Sequence, residues 1–205
     1  MHNRNHLRSS GFTIVELIVV IIVVAILAIL VYVAYNIVLD RVYAARITAA
    51  VEEYRKGFQA YYETYGKFPE YDGTWGTCLG STADYPAADG FPAGACYMRY
   101  DVNGNVIDVE YASDNLAAEI NKFMSPAPDP RIRIVTEPYS SGQSGKYRGL
   151  YYEHQDNSKG SSYADWGYIE YVSHGKIECP HVDYYRYRDQ ADVTFCGFLI
   201  WAGDN

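Results

Sequence analysis

No charged residue stands between Leu17 and Leu39, and neither proline nor glycine occurs between Phe12 and Lys56. The first absence leaves 23 consecutive residues with nothing to hold them in water. The second removes both strong helix breakers. At 1.5 Å per residue, Leu17–Leu39 makes a helix of about 35 Å, enough to cross a bilayer core. The leader Met1–Ser10 has no acid, only Arg4 and Arg8. That bias places the N-terminus in the cytoplasm and everything after the span outside. Basic residues are few: 17 against 25 acids, a net charge of −8. An acidic body argues against a nucleic-acid groove, which needs clustered Lys and Arg. The motifs HExxH, GxSxG, GxxxxGK[ST] and GxGxxG are missing, so no argument for catalysis arises and no cofactor is expected. There is no internal repeat and no low-complexity tract.

What is present begins at the mouth of the apolar run. A secretory signal would place small residues and a cleavage site after the run. Here the small-residue junction Ser9-Ser10-Gly11 precedes it, and one carboxylate, Glu16, follows closely. Gly11-Phe12-Thr13-Ile14-Val15-Glu16-Leu17 resembles the processing site of type IV prepilins and pseudopilins. The resemblance implies cleavage after Gly11 by a prepilin peptidase on the cytoplasmic side, N-methylation of Phe12, and a role for Glu16 in assembly. It implies a structural subunit, not an enzyme, whose partners are homologous pilins in a helical filament, the pilus assembly platform and, before assembly, membrane lipid. The subunit waits as a single-pass protein of the cytoplasmic membrane and ends in an extracellular pilus that serves adhesion, motility or uptake. Losing the leader's two arginines makes the mature chain two charges more acidic. An uncleaved membrane anchor carrying a ligand-binding ectodomain is the alternative outside this class.

Past Asp40 the helix pattern turns amphipathic. Ile47, Val51, Tyr54, Phe58, Tyr61 and Tyr65 recur at steps of three and four, one stripe of a helix. Gly66 reads as its C-cap and Pro69 blocks continuation. A helix over Phe12–Tyr65 is roughly 80 Å long. Tyr61 to Pro69 resembles the point where pilins and pseudopilins leave their long helix. Many Gram-negative pilins carry a proline in the membrane half; this chain does not, so proline chemistry predicts no unwinding there. The expected organisation is a leader at 1–11, a membrane and assembly helix at 12–39, its amphipathic continuation at 40–66, and an extracytoplasmic β-rich domain at 67–205. The fold class is α+β: a long N-terminal helix packed on the apolar face of a mainly antiparallel sheet, as in pilins.

Cys78, Cys96, Cys179 and Cys196 all fall in the outward part, where an even count favours disulfides. Three connectivities are open, and neighbour pairing, Cys78–Cys96 with Cys179–Cys196, is expected. No CxxC or zinc-finger spacing supports a metal site instead. Asn103-Gly104 between Cys96–Tyr100 and Val106–Tyr111 signals a hairpin. Ser113 caps an expected helix over Asp114–Met124. Further strands are expected at Ile132–Thr136, Lys146–Glu153, Tyr168–Ser173, Lys176–Cys179 and Val193–Trp201. Asp101 to Asn105 and the group Asp156, Asn157, Ser158 and Asp165 are rich in oxygen ligands. Both read more readily as loops than as calcium sites, and the glycine at 104 is misplaced for an EF-hand. His154, His174 and His181 lie too far apart to suggest a site. The 22 tyrosines fit half-buried strand positions and subunit or adhesive surfaces equally. Major pseudopilins carry a calcium loop near the C-terminus, where this chain has Cys179 and Cys196, which tilts the resemblance toward a pilus.

Overall fold

A computed structural model describes residues 13–71, 76–139, 141–155, 166–179, 183–189 and 191–201. Its elements are α1 (Ile14–Tyr65), β1 (Thr77–Cys78), a 3-10 turn (Thr82–Asp84), β2 (Ala95–Tyr100), β3 (Val106–Tyr111), α2 (Asp114–Ile120), β4 (Arg131–Pro138), β5 (Ser144–Gly149), β6 (Tyr151–Gln155), β7 (Trp166–His174), β8 (Tyr184–Arg188) and β9 (Val193–Trp201). This is an α+β architecture with antiparallel sheets. Two compact units divide the chain, Met1–Ala45 and Arg46–Asn205.

Within the second unit, the stripe on α1 does what its spacing implies. Ile47, Val51, Tyr54, Phe58 and Tyr61 are buried. Tyr65 departs from the pattern at 51% exposed, with one ring edge toward Phe123. Gly66 (φ 68°) ends the helix by donating its N–H to the Tyr62 carbonyl at 2.7 Å, a left-handed cap that glycine adopts without a Cβ penalty. Gly57 lets α2's trailing segment come close: a Cβ there would stand 2.9 Å from Met124 Cγ.

The single expected sheet is two sheets. Five strands run in the order β1-β6-β7-β9-β8 and four in the order β3-β2-β5-β4. The row Tyr152–Ile169–Phe198 crosses β6, β7 and β9, and its three side chains are buried. The Phe58 ring of α1 stacks on Tyr152 at 4.2 Å, so this face covers the helix. On the opposite face, Val172 and Phe195 form a core with Val135 of β4, flanked by Tyr147 of β5. The second sheet therefore covers one end of that face and leaves the other end open.

Lys146–Glu153 reads as one strand by its apolar content, yet it serves both sheets. β5 ends at Gly149, Leu150 bonds to Pro130 and Leu79, and β6 starts at Tyr151. A Cβ on Gly149 would lie 2.4 Å from Tyr85 Oη and 2.7 Å from Cys96 Cβ, so glycine permits the crossing. Alternation of side chains cannot signal a change of partner strand, because the period stays two across the break. Lys176–Cys179 forms no strand; Ile177 N–H donates to Thr194 Oγ1 and Cys179 is bridged to β9. The two disulfides join Cys78 to Cys96 and Cys179 to Cys196, each with Cα atoms 5.7 Å apart. α2 stops at Ile120, four residues before the expected end, with Ser113 Oγ capping the Leu116 N–H.

The β2–β3 hairpin turns through Asp101–Asn105. Its carboxylate accepts from Asn103 N, Asn105 N and Asn105 Nδ2 at 2.8–3.0 Å, which uses the oxygens as a turn and holds the carboxyl below its ordinary pKa. Asp156, Asn157, Ser158, Asp165 and His181 lie outside the described residues. Tyrosine takes every degree of burial among the described residues: Tyr54, Tyr61, Tyr85, Tyr152 and Tyr171 are buried, Tyr32, Tyr35, Tyr65, Tyr111 and Tyr185 are exposed, and others, such as Tyr97 and Tyr147, are half-buried.

Candidate functional site

The N-terminal end of α1 is built by a reciprocal cap. Thr13 precedes the first helical residue, and Glu16 sits three residues on. Thr13 N–H and Thr13 Oγ1 both donate to Glu16 Oε2 at 2.8 Å, and Glu16 N–H donates to Thr13 Oγ1 at 3.3 Å. This is a capping box: two backbone donors that have no partner inside the helix are satisfied by the two side chains. The spacing Thr13-x-x-Glu16 is the sequence signal of this cap, separate from the charge of the carboxylate. Glu16 thus has a local structural task before any other molecule approaches it.

Between Ile14 and Leu30 the helix offers no core face. Its large apolar side chains from Ile14 to Leu30 are 49–78% exposed, on every side. The segment Ile14–Tyr32 is long and apolar enough to cross a membrane. A helix apolar all round must be covered by lipid or by other helices. Gly11 and Phe12, the residues flanking the expected cut, lie outside the described residues, as do Arg4 and Arg8.

In the second unit, the open end of the five-stranded sheet meets the four-stranded sheet in a cleft of about 320 Å³. Strand register places its walls. Glu110, Tyr97 and Tyr147 stand side by side across β3, β2 and β5, while Tyr151 and Glu170 are neighbours across β6 and β7. Arg99 pairs with Asp108 at 3.3 Å along the rim. Burial pushes the Glu110 carboxyl up to about 7, with Asp108 adding to the rise and Arg99 opposing it. Glu170 is pushed up to about 7 by burial as well, against the pull of Arg186. Among the described residues, no group of three or more His, Cys, Asp or Glu is arranged to hold a metal ion.

A pH dependence of stability follows. Both carboxyls bind protons more tightly folded than unfolded, where they titrate near 4.5. Between about pH 4.5 and 7 the folded chain carries the extra protons, so stability falls as pH rises and levels off above 7. Each group accounts for up to about 3 kcal/mol over that window. The urea midpoint of the second unit is expected to be higher at pH 5 than at pH 8, and Glu110→Gln should roughly halve the difference, since Glu170 remains. A midpoint that rises from pH 5 to 8 would contradict this.

Comparison with known proteins places residues 7–32 in the family described as the prokaryotic N-terminal methylation motif, the signal motif of type IV pilins and pseudopilins. No curated protein and no solved structure matches the chain. The matched stretch contains Gly11, Phe12, the Thr13–Glu16 cap and the apolar helix up to Tyr32.

Proposed function

We propose that this chain, which carries the signal motif of type IV pilins and pseudopilins, is a structural subunit of a type IV pilus-like filament. The observation that carries the reading is the junction itself. The methylation motif at 7–32 takes in the start of a helix that is apolar on all sides and exposed from Ile14 to Leu30. In the proposed sequence of events, prepilin peptidase cuts after Gly11 and the new amine of Phe12 is methylated. The membrane-held subunit, residues 12–39 in lipid and 67–205 outside, then joins its helix to those of other subunits. The helix trades lipid for neighbouring helices, which satisfies the same apolar surface. No enzymatic activity is assigned to the chain, and its acidic body makes it a poor candidate to touch DNA. The bridge between Cys179 and Cys196 occupies the region where major pseudopilins place a calcium loop, which supports a pilus over a secretion pseudopilus.

The test is the mass of the N-terminal peptide from filaments sheared off cells. A peptide starting at methylated Phe12 is expected, and the Gly11→Val variant should keep its leader while still inserting in the membrane, since the apolar run is untouched. A variant chain that still starts at Phe12 would refute cleavage at this site. A chain that stays wholly with membranes and keeps Met1 would indicate an anchored ectodomain instead.

A further inference from the structure

The cleft between the two sheets contains an expensive feature. Glu110 is only 6% exposed, and among the described residues no hydrogen bond or ion pair reaches its carboxylate. So enclosed a carboxylate is disfavoured as an anion unless water or a ligand in the cleft supplies a partner. Its residual exposure opens into the cleft, whose walls are the rings of Tyr97, Tyr147 and Tyr151. Glu170 stands on the facing sheet. We propose that this cleft binds a protonated primary amine, held by the Glu110 and Glu170 carboxylates and flanked by the three tyrosine rings.

The charge balance selects the class of ligand. Glu110 is influenced by Asp108 on its own strand, Arg99 on β2 and Glu153 on β6. Glu170 is influenced by Arg186 and Arg188 on β8, Glu137 on β4 and Glu153 on β6. Arg99 is committed to Asp108, and Arg188 to Glu137. Acids therefore dominate the lining, and an anionic ligand would be repelled. An ammonium donates to carboxylates and is attracted to the electron-rich faces of tyrosine. A neutral polyol would gain hydrogen bonds but would leave the carboxylate charge uncompensated. The cleft is built from one chain, so binding does not depend on assembly into a filament.

Two sources carry a primary ammonium of suitable size, an amino sugar and a lysine side chain. The full-length chain in a polyoxyethylene detergent is titrated calorimetrically with glucosamine and with N-acetyl-lysine amide. N-acetylglucosamine and N-acetyl-norleucine amide serve as their uncharged counterparts. At pH 8 at least one amine is expected to bind about tenfold or more tighter than its counterpart, as a charge-assisted bond requires. The amine that does so identifies the source. Lowering the pH to 5.5 protonates the carboxyls and should weaken binding about tenfold. Glu110→Gln should weaken it equally, and Glu170→Gln provides the second variant if the first fails to fold. Equal binding of amines and counterparts would show a polyol cleft and overturn the proposal. So would no binding by either amine at pH 8, or wild-type affinity in whichever variants fold.

Discussion

Arg188→Met is expected to destabilise the unit Arg46–Asn205 by about 3–5 kcal/mol at pH 8, and by much less at pH 5. Glu137 of β4 is fully buried and forms an ion pair with Arg188 of β8, so the pair ties one sheet to the other. Its second oxygen accepts from Tyr147 Oη at 3.1 Å, and Tyr147 Oη lies 2.9 Å from Tyr139 Oη, itself 3.3 Å from Tyr97 Oη. Removing the arginine leaves a buried anion facing Tyr147, Tyr139 and the more distant Arg186. Burial already pushes the Glu137 carboxyl above its ordinary value while Arg188 holds it down. Without Arg188 that restraint is gone, and the group should take a proton as the pH falls, which removes the uncompensated charge. The sign is therefore fixed: the variant loses stability as pH rises. Methionine keeps part of the contact that the guanidinium makes over the Phe195 ring, so lost packing is a minor share. The double variant Arg188→Met, Glu137→Met should recover most of the loss, because no charge is left behind. Urea unfolding at the two pH values measures all of this. A single variant as stable as the parent at pH 8 would show that the pair contributes nothing across the sheets.

That ion pair was beyond the reach of the sequence, and the reason is physical. β8 reads Tyr-Tyr-Arg-Tyr-Arg, with no apolar alternation to mark a strand. Glu137 sits in Arg-Ile-Arg-Ile-Val-Thr-Glu-Pro, where a charge at a strand end ordinarily means solvent. Each is intelligible only with the other, 51 residues away in the sequence. The cleft acids Glu110 and Glu170 are similar: each lies on an ordinary-looking strand, and only the meeting of two sheets buries them. By contrast, α1 was legible because its signals are local. The lack of Pro and Gly, the stripe from Ile47 to Tyr61 and the stop at Gly66 need no partner to be read. β9 was likewise legible to the residue, Val193–Trp201, as a run of apolar and β-branched residues. The one sheet expected became two because a two-residue period survives the crossing at Gly149 and Leu150 unchanged.

Glu16→Gln is expected to remove the subunit from filaments while leaving membrane insertion and the unit Arg46–Asn205 intact. The capping box sharpens this substitution. Glutamine at the same position can accept from Thr13 just as glutamate does, so the helix start is preserved and only the charge is lost. Thr13→Ala does the reverse: it weakens the cap by about 1 kcal/mol and keeps the carboxylate. On the proposed reading, cleavage after Gly11 exposes a cationic amine on Phe12 close to the depth of Glu16, and methylation retains that charge. In a staggered bundle the amine of an incoming subunit meets Glu16 of one already docked. An unpaired carboxylate in lipid costs on the order of 2.5–3.5 kcal/mol at mid-membrane for a comparable Asp, and less near an end. About 1.4 kcal/mol, below that range as suits a position near an end, already favours docking over waiting in the membrane tenfold. Glu16→Gln, expressed without wild-type subunits, should therefore be depleted from sheared filaments by at least that factor, whereas Thr13→Ala should be incorporated nearly normally. If Thr13→Ala is depleted and Glu16→Gln is not, the residue serves the helix start alone and the pairing is wrong. If neither is depleted, snorkelling of Glu16 to the cytoplasmic headgroups accounts for its place in the chain.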